Sequence, residues 1–204
     1  MELRDALTQI AEIRQQVART ELFRGYRALP VAFSGLVAFA AAGLQAWLIP
    51  EPAQNVSAYL ALWVGSAILS MIATGCEMIW HLRRSPSALE RAKTGLAVSQ
   101  FLPCVATGGL LMIVLVRFAP DVLWMLPGLW AMLFGLGIFA SWRVLPPAVI
   151  WVGMFYLIAG SLSLAWAQGD AAFSPWAMAL PFGIGQLLAA AVLYWTLERT
   201  YGKT

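Results

Sequence analysis

Six long uncharged stretches dominate this chain and leave it one folding environment. They run Ala28 to Pro50, Pro52 to Cys76, Thr94 to Val116, Val122 to Trp142, Val144 to Gly169 and Ala171 to Leu197. About 20 apolar residues at 1.5 Å per residue cover a hydrocarbon layer of roughly 30 Å, so each stretch is long enough to cross a bilayer. With 61% of residues hydrophobic and 11% charged, the chain is far more apolar than soluble domains. Outer-membrane strands would alternate apolar and polar residues in short segments, and no such period appears. Helices are the remaining way to cross, because lipid offers no partner to backbone N–H and C=O groups.

The expected fold is therefore all-α: a bundle of six transmembrane helices preceded by an amphipathic helix at the N-terminus. The expected spans are about 28–50, 56–80, 95–117, 121–142, 145–167 and 174–197. Residues 1–27 are expected to form the cytoplasmic amphipathic helix and linker, 28–198 the membrane domain, and 199–204 a cytoplasmic tail. Ala38-Phe39-Ala40 loosely resembles a signal-peptide cleavage site, but it follows a long charged, helix-forming segment, so no cleavage is expected there.

Lysine and arginine set the expected orientation, since positive residues beside short loops resist translocation. Arg4, Arg14, Arg19, Arg24, Arg27, Arg83, Arg84, Arg91, Lys93, Arg143, Arg199 and Lys203 fall on one side, and only Arg117 on the other. Both termini and loops 81–93 and 142–147 are thus expected in the cytoplasm of a bacterial-type inner membrane. The opposite loops carry Glu51, Asp121 and Asp170. The net charge of +3 then reflects topology and gives no reason to expect a nucleic-acid partner.

Leu3, Leu7, Ile10, Ile13 and Val17 recur at helical spacing, so Glu2 to Thr20 reads as an amphipathic helix. With the basic loop 81–93 it is the expected landing place for partners, either a second copy of the chain or a membrane or cytoplasmic protein. Lipid is the other expected partner, through anionic headgroups at the basic clusters.

The functional signal lies in the second stretch. At about 100° per residue Ser66, Ser70, Thr74, Glu77 and His81 fall within about 80° of one another, a polar stripe along one quarter of the helix. In the third stretch Lys93, Gln100, Cys104 and Thr107 fall within about 60°. A short loop joins these spans and suggests that they are neighbours. The candidate site is therefore a seam formed by Ser66, Ser70, Thr74, Glu77, His81, Lys93, Gln100 and Thr107. Such a seam binds a ligand or ion, or serves only as interhelical hydrogen bonding. Cys76 points away from the stripe on the same helical wheel. The two cysteines read as reduced, buried thiols acting as small apolar residues.

No phosphate-binding glycine loop, zinc-ligand set, nucleophile elbow or pair of acids stands out, and a haem with two histidine ligands needs more than the single histidine present. No cofactor or metal is expected. Gly135-Leu136-Gly137 and Gly183-Ile184-Gly185 read as sites of close helix packing. Seven of the ten tryptophans sit near span ends as an interfacial belt, whereas Trp63, Trp130 and Trp151 sit deeper. Two functions lead from this pattern, ahead of a redox or lipid-modifying enzyme. The first is a non-enzymatic sensor or interaction subunit, and the second a transporter or channel for a small solute or ion that uses the polar seam.

Overall fold

The computed structural model of the chain describes residues 28–84 and 88–198. The amphipathic helix, the tail and Ser85, Pro86 and Ser87 lie outside the described residues. The spans are α1 (Ala28–Leu48), α2 (Val56–Arg84), α3 (Ala88–Phe118), α4 (Leu126–Ser141), α5 (Val149–Trp166) and α6 (residues 175–198). Short 3-10 turns flank α4 at Pro120–Met125 and Trp142–Val144, and another, Gly169–Phe173, leads towards α6. Six segments are long and apolar enough to cross a membrane, and no strand occurs among the described residues. The chain is a multi-pass integral membrane protein.

Each helix overlaps one sequence-read span, but α2 continues past Trp80 to Arg84, α3 begins at Ala88 rather than near 95, and α4 begins at Leu126 after a 3-10 turn. His81-Leu82-Arg83-Arg84 contains no proline or glycine to break a helix. Helix α6 is irregular: Pro175–Met178 is α-helical, Ala179–Ile184 is a π-segment containing Pro181, Gly185–Leu193 is α-helical again, and Tyr194–Glu198 is a second π-segment. Proline lacks the N–H that an α-helix requires, which favours a local change of winding at this point.

Helix packing follows the order α2, α1, α6, α5, α4, α3. Glycines set the closest approaches. Gly128 and Gly160 stack α4 on α5, where a side-chain carbon on Gly160 would lie 2.6 Å from the Gly128 carbonyl oxygen. Gly135 meets the Gly153 carbonyl in the same way at 3.0 Å, and Gly35 on α1 meets the Gly183 carbonyl on α6 at 3.0 Å. The expected packing roles of the two Gly-x-Gly motifs hold: Gly137 makes room for Phe101, Gly183 for Phe39 and Gly185 for the phenol of Tyr156.

Spans two and three do not form the expected pair. Helix α2 packs chiefly on α1 and α3 on α4, with no extended α2–α3 interface among the described residues. A short loop places two helix ends together but does not make their faces complementary. The fitted faces of α3 are turned to α4: the Trp130 indole N–H donates to the Gly108 carbonyl at 3.0 Å, and Phe101 fills the space beside Gly137.

Two ends of the bundle are distinct. At one, Ala28 and Val31 pack on Ala190 and Leu193, and the Ser141 hydroxyl donates to the Ala97 carbonyl at 3.2 Å. Arg83, Arg84 and Arg143 lie at this basic end. At the other end the 3-10 turns Pro120–Met125 and Gly169–Phe173 touch each other, near Glu51, Asp121 and Asp170. Cysteines placed at 51–55 are expected to react with a membrane-impermeant maleimide only from outside the cell; labelling from the cytoplasm would reverse the orientation read from the charges.

Candidate functional site

The stripe on α2 divides into a sealed part and an unsealed part. Tyr59 and Trp63 lie on the same face as Ser66, Ser70, Thr74, Glu77 and His81, at about 20° and about 60° from Ser66 by helical geometry. Both are buried, at 0% and 3% exposure, and belong to a core that includes Ala38, Ala41 and Ala42 of α1, Leu126 of α4, Phe173, and Met178 and Ala179 of α6. Leu111, Met112 and Leu115 of α3 pack against it.

Beyond Trp63 no residue of α2 enters any of the three buried clusters among the described residues. Ser66, Ser70, Thr74, Glu77 and His81 are all half-buried, while Ile68, Leu69, Met71, Ile72 and Ile79 on the other side of the helix are exposed. The polar stripe is therefore the inward face of α2, as its periodicity requires, but it is not closed over. In the same half of the bundle, buried packing is concentrated between α1 and α6 and among α3, α4, α5 and α6, around Tyr156, Phe134 and Phe182.

The remaining candidate residues are dispersed. Thr107 is exposed on α3 and its hydroxyl donates to the Pro103 carbonyl at 2.8 Å, while Ser66 does the same to Leu62 at 2.8 Å. Gln100 is half-buried, and its side-chain oxygen is buried without a hydrogen-bond partner. Lys93 lies in the first turns of α3, and its side chain is outside the described part.

Cys76 corrects the expectation of buried thiols: it is exposed, and Cys104 is half-buried. The reason is helical geometry, which turns Cys76 off the polar stripe and outward with the isoleucines. Trp151 is likewise exposed, at 73%, so only Trp63 and Trp130 of the three deeper tryptophans face the interior. The exposed Trp47, Trp80, Trp142, Trp166, Trp176 and Trp195 near span ends fit an interfacial belt, whereas Trp124 is partly buried.

No family model, curated protein or solved structure matches this chain. Its chemistry has to be read from its own groups.

Gln45, on α1, belongs to no repeated polar pattern. It is fully buried and uses both ends of its amide. Its Nε2 donates to the Phe173 carbonyl at 2.7 Å, and its Oε1 accepts the Trp63 indole N–H at 2.7 Å. The Tyr59 ring stands edge-on to Phe173 with centroids 5.2 Å apart, and its hydroxyl is buried without a hydrogen-bond partner. One glutamine thus ties α1, α2 and the turn before α6 together where the polar stripe stops. A second tyrosine, Tyr156, lies deep among Phe134, Phe155 and Phe182; its hydroxyl sits above Gly185 and beside Gln186, outside hydrogen-bonding geometry. Among the described residues no three His, Cys, Asp or Glu side chains gather to hold a metal.

Proposed function

We propose that the unsealed polar face of α2 is the working surface of the protein and that it carries a small polar solute or ion, as a transporter or channel. The observation supporting this reading is the place where sealing ends. Tyr59 and Trp63 close one end of the face, and the next inward residue, Ser66, begins a run of hydroxyl, carboxyl and imidazole groups reaching the basic end. Polar and ionisable side chains at membrane depth are expensive unless they meet water, one another or a substrate. A track closed at one end and open at the other is what a carrier offers in a one-sided state. In this reading the basic end faces the cytoplasm.

Glu77 is the group to test. Glu77→Gln keeps the shape and most hydrogen bonding but removes the charge. We expect purified protein in liposomes to pass protons, sodium or potassium, read by a trapped pH dye and by radioactive cation uptake. The Gln variant should lose most of that flux with an unchanged melting temperature. Equal flux in the variant would remove Glu77 from the pathway, and no flux of any of the three ions in the parent would overturn ion conduction.

A second reading, a sensor or interaction subunit, draws on a different feature. Helix α2 extends to the basic end with Arg83 and Arg84 exposed, and the Arg84 guanidinium lies 3.8 Å over the Trp80 ring. That stack holds a cation at the helix end, available to a partner's acidic groups. Co-purification that depends on Arg83 and Arg84, in protein without flux, would favour this reading.

A further inference from the structure

We infer that Gln45 is a latch: its two hydrogen bonds keep the polar face of α2 blind at the end opposite Arg84, and their release joins the face to that side of the membrane. The inference rests on the reading of the α2 face as a solute path.

Three features carry it. First, the groups that Gln45 joins lie 18 and 128 residues away in sequence, on α2 and on the turn before α6. The amide is thus a junction between separate elements rather than a bond within one helix. Both bonds are 2.7 Å and the side chain is fully buried, so no water competes for them in this state.

Second, one partner is a connector and not a span. Phe173 ends a 3-10 turn that begins at Gly169, the one described residue with a positive φ, +59°. A carbonyl carried on such a turn can swing about its own peptide while the Phe173 ring stays in the core, whereas the glycine-stacked α4–α5 pair has no such freedom. Gln45 Nε2 then loses its acceptor, and the amide whose other end accepts the Trp63 indole N–H is no longer fixed in place.

Third, the closed state leaves a polar group without a partner. The Tyr59 hydroxyl is buried without a hydrogen bond, beside Phe173 and Trp63. Water entering on release would satisfy it, which lowers the gap between closed and open states. A closure with every group satisfied would lack that bias towards opening.

The test uses full-length protein with Cys76→Ala and Cys104→Ala, carrying Ser66→Cys as reporter, in sealed vesicles of known orientation. A membrane-impermeant maleimide is offered to one side at a time. With Gln45 intact, the reporter should label from the Arg84 side alone. Adding Gln45→Leu should raise labelling from the opposite side by about tenfold or more, the change that about 1.4 kcal/mol produces in an equilibrium. Trp63→Phe, which keeps most of the ring and removes the donor, serves as the second variant and should act in the same direction. If the reporter labels from the Arg84 side and neither variant changes labelling from the other, the latch is overturned while the solute path survives. If the reporter labels from neither side in the parent, the solute path fails and the latch with it.

Discussion

Gly160→Ala is expected to give one of the largest losses of stability available from a single methyl group in this protein. The added carbon would lie 2.6 Å from the Gly128 carbonyl oxygen, 2.6 Å from Met132 Cγ and 3.0 Å from the Met132 amide nitrogen. Two of these three are backbone atoms and cannot rotate away, so α4 and α5 would have to separate. Their contact is the most extensive in the bundle and is close at Gly128, Gly135, Gly153 and Gly160 alike. Separation at one end therefore loosens packing over several turns, and dispersion contacts fall off within an ångström of added gap. Overpacking of this kind commonly costs about 1–3 kcal/mol and sometimes more. Gly43→Ala is the control, since a carbon there meets nothing within 4 Å. Glycine in a helix is itself unfavourable relative to alanine by roughly 0.5–1 kcal/mol, so Gly43→Ala should be neutral or slightly stabilising. Thermal unfolding in detergent should show a drop of several degrees for Gly160→Ala alone. Equal melting temperatures for the two variants would refute the close-packing account of α4 and α5.

The same physics explains what could and could not be read from residues alone. Span existence was legible because it depends on a local property, the absence of charge over a length set by the bilayer. The inward direction of the α2 stripe was legible for a related reason: Ser66, Ser70, Thr74, Glu77 and His81 repeat at helical spacing on one helix, and the half-buried side of α2 is that side. Helix neighbours were not legible. The juxtaposition of α1 with α6 depends on Gly35 facing the Gly183 carbonyl from the far end of the membrane domain, and nothing local to either glycine states that pairing. The short loop after α2 suggested the wrong partner because connection length governs which ends are close, not which faces fit.

Gln45 illustrates a different kind of omission. It stands in Ala41-Ala42-Gly43-Leu44-Gln45-Ala46, a run with no other side-chain hydrogen-bonding group. A single polar position forms no periodic pattern. Its signal is its isolation, because hydrocarbon supplies no donor or acceptor and the amide must find both inside the bundle. Its partners would still have stayed hidden, since the Phe173 carbonyl carries no side-chain signature. Pro181 was the equivalent clue in α6. A second proline soon after Pro175 marks irregular winding, and the π-segment there places Phe182 against Phe134 and Tyr156, with centroids 5.7 and 5.6 Å away.

Gln45→Leu should be the most damaging polar-to-apolar change in the membrane domain, although it raises the apolar character of an already apolar segment. Volume is nearly conserved, so loss of packing is not the source. The change strands the Trp63 indole N–H and the Phe173 carbonyl, each held at 2.7 Å in the native state. Leaving a buried donor or acceptor unmade costs about 1–3 kcal/mol for each group, so about 2–6 kcal/mol is expected for the two if the region stays dry. Water reaching the site would reduce that loss, and then the opening described above should accompany the smaller value. Trp63→Phe strands the Gln45 oxygen instead and also removes part of the indole, giving a loss of similar size. Because both single changes break the same bond, the double variant should be less unstable than their sum, by about 1 kcal/mol in a double-mutant cycle. Interhelical hydrogen bonds in membranes average about 0.6 kcal/mol, because the unfolded chain in lipid also finds partners. A coupling near zero in reversible unfolding from mixed micelles would therefore mean that Gln45 and Trp63 are merely adjacent. A clear coupling would establish the bond as a determinant of how α1 and α2 meet.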